Sequence, residues 1–220
     1  MRYLGHKGQA TSDELLTLID ACVDECERLS RPKYVWRMFD IAQISYDKIT
    51  FLDAEIVFPG KSIAAHLQSA ATCVFLAATL GVDVDERIDV LQRDDMTHAV
   101  VIDACSSAAI EGVCDDAQTE IQAALANDRT LGRRFSPGYG DFPLDVQPAL
   151  LNCLEAGKTI GLYCNRSNLL IPRKSVTVVL GVFAGEPYDG CSTKCAECDR
   201  ADTCLYNDYV GRGAPDAPPA

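Results

Sequence analysis

Two short segments concentrate the side chains that could bind a ligand or react. The first is Arg133-Arg134-Phe135-Ser136-Pro137-Gly138-Tyr139-Gly140-Asp141-Phe142-Pro143. An arginine presents a planar fork of donors that meets a carboxylate through two parallel hydrogen bonds. Gly138 and Gly140 let backbone N–H groups approach a ligand, and Tyr139 between them offers a ring face and a hydroxyl. Pro137 and Pro143 stiffen the loop, which lowers the entropy lost on binding. A plain Pro-Gly turn would also explain the glycines, so both readings stand on composition alone. The second segment holds Cys191, Cys195, Cys198 and Cys204, four cysteines within fourteen residues. Four thiolates so close together can surround one tetrahedral zinc or one iron–sulfur cluster. The compressed spacing of the first three is that of ferredoxin runs more than of zinc knuckles set apart in sequence, and free thiols or disulfides in a loose tail are the remaining alternative.

Other catalytic sets are missing. His6, His66 and His98 form no H-E-x-x-H pair, and the chain has neither a G-x-S-x-G elbow nor a G-x-x-x-x-G-K loop. Hydrolase and kinase readings therefore have no support, and each histidine reads as structural. Thirty-two acidic against twenty basic residues leave a formal charge of −12, and basic residues occur only as pairs, so no nucleic-acid partner is expected. The window from Ser62 to Val82 carries no formal charge, but six polar side chains and Gly81 interrupt it, which reads as soluble elements and no membrane span. The opening MRYLGHKGQATSDE has no apolar run, so no secretory leader is expected and the location reads as cytoplasmic. An odd count of eleven cysteines argues against a fully paired disulfide framework.

The elements that must position these segments follow from periodicity. Residues 12–29 start with Ser12 as N-cap and set Leu15, Leu18, Ile19, Cys22 and Cys26 on one stripe, an amphipathic helix. The Cys22 and Cys26 pair is spaced like two metal ligands and reads as core packing. Tyr34 to Phe58 reads as two or three strands, broken near Tyr46 and Asp47. Ser62 then caps a helix to about Ala70, followed by a strand over 73–80 and a helix over 84–92. The longest periodic segment opens at Asp94 or Asp95 and runs to about Ala126, with Ile102, Cys105, Ala109, Val113 and Ile121 as its stripe and Glu111 on another face. Gly112 inside it marks a close neighbour, by tight packing or by a ligand. A helix over 144–155, an apolar piece over 160–164 and a strand over 176–183 complete the pattern. Strands grouped early and late around long helices predict an α+β fold with a mostly antiparallel sheet packed by helices. At 220 residues one domain with a small appendage is expected: 1–187 as the α+β domain, 188–210 as the cysteine-rich segment, and 211–220 as a disordered tail.

The span RRFSPGYGDFPLDVQPALLNCLEAGKTIGLYCNRSNLLIPRKSVTVVLGV resembles the signature region of the activation domain of cobalamin-dependent methionine synthase. That region carries an R-x-x-P-G-Y loop, a following helix, and a segment like L-T-E-S-x-x-M-x-P-x-x-S-V. The resemblance extends back through KSIAAHLQSAATCVFLAATLGVDVDERI and DACSSAAIEGVCDD, covering roughly residues 30–183. It implies an activator that binds S-adenosylmethionine and supports reductive methylation of cobalamin oxidised to the inactive cob(II) form. By position, Arg134 would hold the methionine carboxylate, Tyr139 with Ser136, Gly138 and Gly140 would line the site, and Glu111 would meet the amino group or the ribose. Where the family reads Thr-Glu-Ser this chain reads Asn165-Arg166-Ser167, so no role of that glutamate carries over, and Tyr188 is at best a single counterpart of the family's paired tyrosines. A D-x-H-x-x-G cobalamin motif is absent. The resemblance therefore implies cobalamin on a partner: a corrinoid protein or methyltransferase such as methionine synthase, met in trans, with an electron donor. The alternative is a non-catalytic redox or metal-binding module that docks to or senses a corrinoid protein.

Overall fold

The computed structural model describes residues 2–5 and 10–185. Cys191, Cys195, Cys198 and Cys204, the segments 188–210 and 211–220, Tyr188 and His6 lie outside the described residues. The chain opens with a single 3-10 turn, Arg2–Leu4, and helix α1, Asp13–Leu29. Strands β1 (Lys33–Ser45), β2 (Lys48–Phe51) and β3 (Val57–Pro59) follow, then α2 (Lys61–His66) and β4 (Thr72–Thr79). Helices α3 (Val82–Asp94) and α4 (Met96–Ala124) lead to β5 (Arg129–Leu131). After the Arg-Pro-Gly loop come α5 (Gln147–Cys153), α6 (Ala156–Thr159), the two-residue strands β6 (Tyr163–Cys164) and β7 (Leu170–Ile171), and β8 (Ser175–Ala184).

Six strands form one sheet in the order β3-β2-β1-β4-β8-β5, every neighbouring pair antiparallel, which is the expected α+β class. β4 lies at the centre. Its Cys73, Phe75 and Ala77 face an aromatic layer with Phe39, Phe51, Phe58, Phe135 and Phe142, while Val74 and Leu76 face α4 and Ala78 faces the α1–α3–α4 layer. Burial on both faces is why this strand reads as an unbroken apolar run. The helical layer is locked by Glu25 of α1, which accepts from Arg87 Nε of α3 at 2.7 Å and pairs with His98 Nε2 of α4 at 2.9 Å. Burial alone would raise the Glu25 carboxyl, but these two partners outweigh it and hold it below its ordinary range.

Several boundaries differ from the sequence reading, each for a local reason. Ser62 is not the cap of α2: Gly60 holds that position, and the Asp141 carboxylate, eighty residues on, accepts from the N–H groups of Lys61 and Ser62 at 2.7 and 2.9 Å. The helix also stops at His66. The predicted 144–155 helix is a 3-10 turn (Leu144–Val146) plus α5, ended before the left-handed Glu155 at φ 51°. The buried seam of α4 is Ile102, Ser106, Ile110, Cys114, Ala117 and Ile121, whereas Cys105, Ala109 and Val113 are only half-buried. A serine in that seam, donating to the Ile102 carbonyl, disguised its phase. Gly112 meets no neighbour: a methyl group there would have nothing within 4 Å, so tight packing does not explain it. Among the described residues no helix is long and apolar enough to cross a membrane.

Candidate functional site

Strand β5 sets the position of the arginine loop. It pairs with the end of β8, and the chain continues beside that strand: Gly132 N–H donates to the Gly181 carbonyl at 2.8 Å, and Phe135 and Val179 exchange both backbone hydrogen bonds at 3.0 and 2.8 Å. Successive residues of an extended segment point to opposite sides. Phe135 therefore enters the aromatic layer, 4.9 Å from the His66 ring and 6.2 Å from Phe142 between centroids, and Arg134 faces α4. There its Nη1 lies 2.6 Å from Asp115 Oδ1 and its Nη2 3.1 Å from Glu111 Oε2. Spacing of four puts the two acids one turn apart on the same helix face.

Beyond Arg134 the loop folds back on itself. Gly138 N–H donates to the Phe142 carbonyl at 2.7 Å and Tyr139 N–H to the Ser136 carbonyl at 3.2 Å. Gly138 and Gly140 have φ of 94° and 56°, which suit glycine. Gly140 also packs where a side chain would sit 2.5 Å from Ser62 Oγ, and a side chain on Gly60, at φ 126°, would come 2.9 Å from Asp141. The loop and the start of α2 are thus a single close-packed unit, pinned by Asp141. Hydrogen bonds from the Ser62 and Lys61 backbone hold the Asp141 carboxyl below the usual carboxylate range.

A cleft of about 720 Å³ opens beside this unit, and Glu111, Arg134, Ser136 and Tyr139 line it. The structure brings these four predicted residues to one place. Gly138 and Gly140 are not part of the wall; they shape the turn that presents Tyr139, whose side chain is largely exposed. Sequence reasoning missed Tyr3 of the opening 3-10 turn, Leu170 of β7, and the buried pair Gln147 and Thr177, in which the Thr177 hydroxyl donates to the Gln147 amide oxygen. Nothing in a linear pattern distinguishes these from ordinary helix and strand positions. The Asn165-Arg166-Ser167 segment is a hairpin turn between β6 and β7, where the Asn165 side chain accepts from Ser167 and Leu169 N–H at 2.9 and 3.0 Å, and none of the three lines the cleft. Cys114, behind Glu111 in the helix seam, is pushed up to about 11 by burial, so it is a packing residue. Cys22 is likewise pushed up to about 11, and among the described residues no group of three or more His, Cys, Asp or Glu side chains could hold a metal.

No protein-family model matches this sequence, and no curated protein matches it. A solved structure does: the crystal structure of the MetH reactivation domain bound to AdoHcy superposes with a TM-score of 0.62 at 16% identity, covering 81% of this chain and 71% of that one. The fold is that of the MetH reactivation domain. The expectation drawn from the loop motif and its flanking helices holds for the architecture, an α+β fold with an antiparallel sheet packed by helices.

Proposed function

We propose that this protein binds S-adenosylmethionine in the Arg134–Glu111 cleft and supports reductive methylation of a corrinoid cofactor carried by a separate methyltransferase. The observation that carries the proposal is the convergence of a guanidinium and a carboxylate in one cleft, in a fold whose solved relative holds AdoHcy. The ligand's ends match the donors: an α-carboxylate suits the fork of Arg134, and the ammonium or a ribose hydroxyl suits Glu111. Ser136 supplies a hydroxyl and Tyr139 a ring and a hydroxyl, while Gly138 and Gly140 hold the turn that presents them. The cleft volume lies within the roughly 300–1,000 Å³ of small-molecule sites. When bound, S-adenosylmethionine supplies a methyl group on a positive sulfonium, the form in which a reduced corrinoid accepts it. This chain's own task is to hold and orient that donor, keep its carboxylate neutralised and leave its sulfonium end open to the partner.

The corrinoid itself comes with a partner protein, because the chain has no D-x-H-x-x-G motif. We further propose that Cys191, Cys195, Cys198 and Cys204 are metal ligands, an iron–sulfur cluster in preference to zinc, since a cluster supplies one-electron chemistry at low potential and zinc supplies none. A cytoplasmic setting is proposed with it, since reduced thiols persist there. The functional test mixes the protein with a cob(II)alamin-loaded corrinoid protein, a low-potential reductant and S-adenosylmethionine, and follows the corrinoid spectrum. Conversion to methylcob(III)alamin that depends on this protein and fails with Arg134→Ala supports the reading; conversion at the same rate without the protein overturns it.

A further inference from the structure

Arg134 faces two carboxylates that are not equivalent. Glu111 lines the cleft, lies 3.1 Å from Nη2 and has a side chain 44% exposed. Asp115, one turn further along α4, makes the shorter contact, 2.6 Å to Nη1, yet its side chain is 69% exposed and lies outside the cleft wall. A ligand carboxylate that takes the guanidinium end-on, through two parallel hydrogen bonds, uses both terminal nitrogens, the two that Glu111 and Asp115 now hold. Glu111 can yield Nη2 and remain in the cleft, where it meets the ligand's cationic group. Asp115 has no such second use. It can only be displaced, and at that exposure its carboxylate returns to water at small cost.

We infer that Asp115 is an internal competitor for the ligand carboxylate, and that together with Glu111 it makes the site selective for a zwitterionic α-amino-acid end. This rests on the proposed function. A ligand bearing a carboxylate without an ammonium would take Arg134 away from two acids and return no positive charge to either, so the local field rejects it. A zwitterion brings its own cation for Glu111 and leaves only the exposed Asp115 unpaired. The two acids therefore affect affinity with opposite signs, although they share one arginine and one helix face.

Calorimetric titration separates these roles, using the full chain and three probes: S-adenosylmethionine, S-adenosylhomocysteine and 5′-methylthioadenosine, which lacks the amino-acid end. Asp115→Asn is expected to tighten both amino-acid-bearing ligands by about two- to fivefold, the range of an exposed ion pair. The thioether product carries no sulfonium charge, so its gain is free of the opposing loss of attraction to a cation and is the larger of the two. Glu111→Gln is expected to weaken both ligands. Asp115→Asn should leave the affinity for 5′-methylthioadenosine unaltered. Unchanged or weaker binding of S-adenosylhomocysteine by Asp115→Asn overturns the inference while leaving the proposed function standing. Equal tightening of 5′-methylthioadenosine also overturns it, because the effect would then be a general loss of negative field. No binding of any probe to the unaltered protein overturns both.

Discussion

Asp141 shows how much a single exposed side chain can do when its partners are backbone groups. Its carboxylate accepts from Lys61 and Ser62 N–H and so fastens the arginine loop to the start of α2. Its proton affinity is lowered by those bonds, so the folded-state value lies below the unfolded one. The stabilisation is therefore complete above the unfolded value, about 3.9, and disappears as pH falls through the lower folded value. Asp141→Asn is expected to melt below the unaltered protein at neutral pH, with the gap closing as the pH drops below about 4. Melting curves from pH 7 to 3 check this, and a gap that persists undiminished at pH 3 would remove the carboxylate's role. That Arg134, Ser136 and Tyr139 line one cleft was legible in sequence because they are neighbours along the chain. Asp141 as a distant cap and Asp115 as a second partner of Arg134 were not, since both depend on contacts between residues 80 and 19 positions apart.

At the scale of elements, α4 carries the acids of the site, and its phase decides which side chains face Arg134. The apolar stripe read from sequence was right at its ends, Ile102 and Ile121, and off between them, because α4 packs in the cluster with α1 and α3 through Ile102, Ile110 and Cys114 and on the sheet through Ala117 and Ile121, so no single face is apolar. Ser106 within the seam completed the disguise. β5 was missed for another reason: three residues pairing with the end of β8 leave no periodicity to detect. The hairpin of β6 and β7 is shorter still. By contrast β4 and α1 were plain, the first as a run buried on both faces, the second as a capped amphipathic stripe with Ser12 accepting from Leu15 N–H at 3.3 Å. Gly112 gives this scale its test. It is exposed in mid-helix with open space where a methyl group would go. Gly112→Ala is expected to stabilise the protein by about 0.5–1 kcal/mol through the restricted unfolded chain and the better helix propensity. At this chain length that raises the melting temperature by about 1–4 °C. A stabilised variant that loses S-adenosylmethionine binding would place the ligand against this glycine, restoring the ligand explanation for it.

On the scale of the whole molecule, the described α+β body presents the cleft lined by Glu111 and Arg134, and the four-cysteine run follows β8 in sequence. Protein purified or reconstituted without oxygen is expected to be brown, to contain iron and sulfide, and to lose both in the Cys195→Ser, Cys198→Ser double variant. One zinc per chain with no iron would make the segment a structural clip, and metal-free protein with full activating function would make these cysteines dispensable. The formal charge of −12 agrees in sign with a ligand that carries two cationic centres and one carboxylate.

Arg134 is proposed to hold the carboxylate of S-adenosylmethionine. Isothermal calorimetry of that ligand into the unaltered protein and into Arg134→Ala tests it most directly. A single binding site is expected in the former, and a loss of about 2 kcal/mol or more, roughly thirtyfold in affinity, in the latter, because the ligand carboxylate loses its charge-assisted partner. Equal affinity in the two proteins, or no heat of binding in either, would contradict it.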